Sequence, residues 1–196
     1  METNRGFRIG AAIGALVLIV AGAAWTLIAL VFRPETGLSH YALLAIPALI
    51  LATSAIRRLV AVVRSPAAPT TEAEELERSR EGKRMGIWFG VIFAAEFGVI
   101  GAVAPILAGA GRPLLIPVAI VAIVGAHFVP LAKVFRIPTY FVAGVLLVAI
   151  AAASLLIPDE PTRLFALGIA TTVVLWAAAW TVLAVHVGAG LPRKAA

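Results

Sequence analysis

The chain has 196 residues, 62% of them hydrophobic and 13% charged, with 16 Lys and Arg against 10 Asp and Glu for a formal net charge of +6. Soluble domains carry about 25% charged residues, so this composition argues against a water-facing globule and for an all-α, polytopic membrane protein. Cysteine is absent, which excludes disulfides, thiolate metal sites and cysteine nucleophiles. The positive balance does not point to nucleic acid. Basic residues are not interleaved with aromatics over a common surface, and cytoplasmic loops of membrane proteins favour Lys and Arg for their own reasons.

Windows of about 20 apolar residues recur along the whole length, each long enough to cross a bilayer core as a helix. We expect a single membrane domain over 1–196 with six transmembrane helices, at about 7–32, 41–63, 85–108, 113–135, 139–157 and 164–187. The first follows a short basic leader. Ala21-Gly-Ala23 looks like a signal-peptide cleavage site, but the apolar run continues through Trp25 to Phe32, beyond the about 7–15 residues of such a peptide. Gly6, Gly10 and Gly14, spaced by four, offer a face for close helix approach.

The turn after helix one contains His40, which reads as an interface residue. Pro47 lies inside helix two and Arg57 and Arg58 near its end, where basic side chains snorkel. The segment 65–84 is the main polar stretch. Pro66 and Pro69 keep its start extended. Thr71 with Glu74 fits a capping box and Glu74 with Arg78 an i,i+4 pair, so a short charged helix is expected there as a cytoplasmic stem.

Helix three carries Gly86, Gly90, Ala94, Gly98 and Ala102 at spacing four. This is the strongest candidate packing face in the chain, and with the helix-one stripe it suggests a homodimer. Trp88, Ile92 and Glu96 fall on a different face, and Pro105 is expected to bend or end the helix. The turn Gly109-Ala-Gly-Arg-Pro113 leads to helix four, which holds Pro117, His127 and Pro130. Helix five is nearly featureless. Pro158-Asp-Glu-Pro-Thr-Arg163 then turns into helix six, which stops at Gly188-Ala-Gly190 and Pro192.

Six spans put Arg5, Arg8, Arg57, Arg58, Arg64, the basic residues of 78–84, Lys133, Arg136, Arg193 and Lys194 on one side, and only Arg33, Arg112 and Arg163 on the other. The positive-inside bias therefore predicts that both termini are cytoplasmic. The Ala-, Gly- and Arg-rich composition fits a bacterial inner membrane. The three hairpins are similar in length, but too little alike to mark a duplicated transporter half.

Glu96 is the only acidic residue inside a long apolar run. Inserting a carboxylate there costs about 2.5–3.5 kcal/mol, and such residues usually face a protein interior with a partner. At 1.5 Å per residue Glu96 lies about 18 Å from Arg84, and His127 about 14 Å from Arg136. Side chains lean toward the N-terminus of their helix, so in an antiparallel hairpin the two lean toward each other. We expect them to form a hydrated proton or small-solute site, with Thr172 and Trp176 as supporting groups. The bland reading is a polar lock between helices, worth about 0.6–2 kcal/mol per hydrogen bond.

His127 and His186 reach similar depths in helices of the same direction, so a haem b held by this pair is the alternative, with Arg57 or Arg58 near its propionates. A structural or assembly protein without transport is a third reading. No His-Glu-x-x-His, Gly-x-Ser-x-Gly or Walker loop is present, so no enzyme, cofactor or metal site is expected beyond the haem alternative. The stretch Gly125-Ala-His-Phe-Val-Pro-Leu-Ala-Lys-Val-Phe-Arg-Ile-Pro-Thr-Tyr140 resembles a segment of small uncharacterised six-span bacterial inner-membrane proteins. That resemblance implies a membrane fold and assigns no activity.

Overall fold

In the computed structural model, which describes residues 5–32, 38–65 and 71–187, the chain is helical throughout apart from turns. The helices are α1 (Arg5–Val31), α2 (Leu38–Arg64), α3 (Glu72–Gly109), α4 (Ile116–Phe135), α5 (Pro138–Ser154) and α6 (Glu160–Val182). A short 3-10 turn, Pro113–Leu115, precedes α4, and a π-helical turn, Leu183–Val187, continues α6. Five of these helices are long and apolar enough to cross a membrane, and α5 with its 17 residues is the short sixth. In hydrocarbon a helix satisfies its own backbone groups, which is why an apolar chain of this length resolves into helices. The side chain of His40, the Glu74–Arg78 pair and the Gly188–Pro192 stop lie outside the described residues.

Three boundaries differ from the sequence reading. The charged stem is not a separate helix: α3 runs unbroken for 38 residues from Glu72, and Pro105 lies inside it without ending it. No strong breaker separates the polar and apolar halves, so one helix about 57 Å long carries both. Helix five ends at Ser154 rather than near 157, because Leu155, Leu156 and Ile157 close successive three-residue turns onto Ala152, Ala153 and Ser154, and Pro158 has no N–H with which to continue. Helix six begins early. Asp159 caps it by accepting a 2.9 Å bond from the Thr162 N–H, with Pro161 in the first turn, an arrangement favoured at helix starts.

Packing orders the helices in a row. The most extensive contacts join α1 to α6 and α4 to α5, followed by α1 with α2, α3 with α4 and α5 with α6. The row is therefore α2, α1, α6, α5, α4, α3, and the chain neighbours α2 and α3 stand at its two ends. The centre is tight where glycines meet. A Cβ on Gly125 would fall 2.8 Å from the Gly144 carbonyl oxygen, and one on Gly168 would fall 2.7 Å from the Ala29 Cβ. Backbones can approach that closely only without side chains.

The small-residue stripe of α3 takes no part in this packing. Gly86, Gly90, Ala94, Gly98 and Ala102 are all exposed, and a Cβ built on any of the three glycines meets nothing within 4 Å. α3 instead leans on the rest of the chain through Met85, Ile92, Glu96, Ile100, Val103 and Leu107, a stripe at the three- and four-residue spacing of one helix face. On α1 the outcome is mixed. Gly10 is open, whereas Gly14 sits against the Tyr140 hydroxyl.

Candidate functional site

Among the described residues of α3, Glu96 is the only one that is buried. It retains 8% of its surface and stands opposite His127 of α4, with Oε2 and Nδ1 3.4 Å apart. The turn that makes this possible is compact. Ala110, Gly111 and Arg112 bond back onto the last turn of α3, and Gly111 takes φ +71°, a left-handed conformation natural to glycine. The two helices then run back side by side at matched depth, as the spacing from Arg84 and Arg136 anticipates.

Atoms Glu96 Oε2 and His127 Nδ1 are both buried, and neither has a partner of hydrogen-bonding geometry. The contact is therefore an ion-pair approach rather than a formed hydrogen bond. One proton shared between the two gives either carboxylate with imidazolium or carboxylic acid with imidazole. Both arrangements have zero net charge, which lowers the cost of burying the pair. Chemically the pair can hold and exchange a proton. Among the described residues no three His, Asp or Glu side chains gather as a ligand set.

Aromatic rings border the pair. Phe89, Phe93 and Phe97 follow one another along α3, the last two with centroids 4.8 Å apart. Phe89 meets Phe135 on α4, and Phe135 and Phe128 both meet Tyr140 of α5. The Phe128 ring lies 4.9 Å from that of His127. The i,i+4 spacing of the three α3 phenylalanines was the available sequence signal for this ladder, and the sequence reading passed over it.

Farther along the α3–α4 seam, Ile100, Val103, Ala104, Ile116, Ala119, Ile120 and Ile123 leave between them no space large enough for a water molecule. An open groove runs along Val129, Pro130, Ala132, Lys133 and Phe141. Neither is lined by Glu96 or His127. His127 keeps 14% and Glu96 7% of its side-chain surface, so the pair is largely enclosed by protein.

Thr172 and Trp176 serve a different seam. The Thr172 hydroxyl contacts the Thr26 hydroxyl at 3.0 Å and the carbonyl oxygens of Gly22 and Gly168 at 2.9 Å. The Trp176 indole N–H donates to the Ile19 carbonyl at 3.1 Å, and its ring fills the space that a side chain on Gly22 would need. Their polar atoms are thus committed to α1. They clamp α1 to α6, and none of these hydrogen bonds, among the described residues, reaches Glu96 or His127.

His127 meets Glu96 and Phe128, while His186 packs edge-on against Phe7 at 5.7 Å. Of the two arginines expected near haem propionates, Arg57 and Arg58, the second donates to the Leu183 carbonyl. Arg163, read from the sequence as a turn residue, is buried and pairs with Glu160 at 3.2 Å. No known protein family, curated protein or solved structure is significantly similar to this chain.

Proposed function

We propose that this chain is an integral membrane protein that moves a proton, or a small solute coupled to one, through a site built on Glu96 and His127. The observation that carries the reading is the placement of Glu96: the one buried side chain among the described residues of α3 is its one intramembrane carboxylate. Apolar side chains such as Ile92, Ile100 and Val103 line the rest of that seam. Packing alone does not require an acid there, and inserting one costs about 2.5–3.5 kcal/mol. Such expense is typical of ion and proton pathways.

In this reading the enclosed pair is the closed state. α3 sits at the end of the row and leans chiefly on α4, so it is the element free to part. Separation admits water to both groups, and the carboxyl and imidazole then exchange protons with the exposed side. Closure carries the pair back to its neutral, shielded form. Thr172 and Trp176 are left out of the mechanism because their polar atoms are held by α1. We place the protein in a bacterial inner membrane with cytoplasmic termini, on the positive-inside argument. We further propose a homodimer through the open small-residue face of α3.

The test is reconstitution into liposomes with a trapped pH indicator. Wild-type protein should dissipate an imposed proton gradient, or couple it to solute uptake, and Glu96→Gln should abolish the effect while remaining folded. Equal flux from both proteins removes the glutamate from the mechanism. A second reading, a structural or assembly protein, is favoured by the enclosure of the pair between two helices and predicts that Glu96→Gln is tolerated throughout. The haem b alternative remains a separate proposal, decided by whether protein purified after haem-replete expression shows a Soret band.

A further inference from the structure

A second polar cluster brings together the start of α1, the end of α2 and the π-helical turn after α6. Arg5 donates to the Val63 carbonyl, Arg8 to the Val187 carbonyl and Arg58 to the Leu183 carbonyl. Three guanidiniums thus sit on carbonyls of the last turn of α2 and of the π-helical turn after α6, and where a helix ends its free carbonyls and dipole attract cations. The π-helical turn that supplies Leu183 and Val187 also carries His186, held against Phe7.

Among the described residues charge does not balance there. Each helix C-terminus offers about half a negative elementary charge, so two of them offset about one of the three positive charges. Among the described residues no carboxylate lies within 4.0 Å of these guanidiniums. One donor is also left over: the Nε of Arg8 is buried and unpartnered. Among the described residues about two positive charges and an idle N–H thus remain, beside a flanking surface that is apolar. Guanidinium forks match phosphate oxygens in both charge and geometry.

We propose that Arg5, Arg8 and Arg58 form a phosphate-binding site, and that its occupant is the headgroup of an acidic phospholipid whose acyl chains lie along α1 and α2. Val17, Val20, Val60 and Val63 on those helices are exposed and fit such chains. Polybasic surfaces at a membrane boundary attract acidic headgroups in this way. The site is independent of the Glu96–His127 pair.

Full-length protein in neutral detergent is titrated with phosphatidylglycerol, phosphatidylcholine or sodium phosphate, and bound lipid is counted by native mass spectrometry alongside thermal unfolding. Phosphatidylglycerol should bind wild type at least tenfold more tightly than phosphatidylcholine, and Arg5→Gln/Arg8→Gln should erase that preference while Arg112→Gln keeps it. If sodium phosphate alone reproduces the stabilisation, the phosphate site stands and its source is a soluble anion. Equal binding of the two lipids by wild type, or an undiminished preference in the double variant, overturns the proposal. Should the double variant fail to fold, the exposed Arg5→Gln change alone is read by the same ratio and should lower it.

Discussion

Glu96 of α3 and His127 of α4 approach to 3.4 Å in a seam that is otherwise apolar, so each is the other's only evident charge partner among the described residues. Breaking a buried pair by removing one member costs about 3–5 kcal/mol, because the survivor is left uncompensated, whereas replacing both by apolar residues is often neutral. Glu96→Ala and His127→Ala should therefore each destabilise the protein strongly in denaturant titrations in micelles, and Glu96→Leu/His127→Leu should recover most of the loss. In proton-flux assays the double variant should stay inactive. Recovery of stability without recovery of flux separates the pair's packing role from its proposed chemistry.

Thr172 and Trp176 lead to the opposite expectation. Thr172→Val and Trp176→Phe each remove hydrogen bonds across the α1–α6 seam, at about 0.6–2 kcal/mol per bond within a membrane. Both should lower unfolding stability by that order and leave flux per folded molecule unchanged. Loss of flux at full stability would return these residues to the site.

At the α4–α5 crossing, Gly125 has no room for a side chain, since Gly144 and Val148 already occupy the space. Gly125→Val should cost about 1–3 kcal/mol through overpacking. Gly98→Val on the open face of α3, where a Cβ meets nothing within 4 Å, should leave the monomer's stability within about 0.5 kcal/mol. If α3 forms the dimer contact, that same variant should shift cross-linking yield toward monomer.

Two turn positions carry opposite signs. Gly111 holds φ +71°, so Gly111→Ala should destabilise by about 1–2 kcal/mol, the penalty of a left-handed conformation for an L side chain. Arg136 caps α4 at φ 54°, so Arg136→Gly should be neutral or stabilising by up to about 1 kcal/mol. Thermal unfolding of the two variants in one detergent checks the contrast.

The helices themselves were legible because hydrophobic length is a local property. Runs near 20 residues marked the spans, and Asp159 with Pro161 gave a capping signal that the turn reading of 158–163 passed over. The Glu96–His127 contact was also within reach, since two consecutive spans joined by a short turn fix relative depth by counting residues. The small-residue stripe of α3 misled for a physical reason: spacing four shows that a face permits close approach, but not that any helix in the same chain occupies it. The same limit applies to Thr172 and Trp176, whose midspan polar groups mark a need for partners without naming them.

By itself, then, the chain determined that it would be helical and membrane-compatible, where its spans fall, and which acid and imidazole share a level, because each follows from composition, length and the rise of a helix. Tertiary packing alone decided the order of the row, the exposure of α3, the commitment of Thr172 and Trp176 to α1, and the gathering of Arg5, Arg8 and Arg58 on foreign helix ends. Those outcomes depend on which faces meet across long sequence separations, and one-dimensional spacing does not record rotation about a helix axis relative to a distant neighbour.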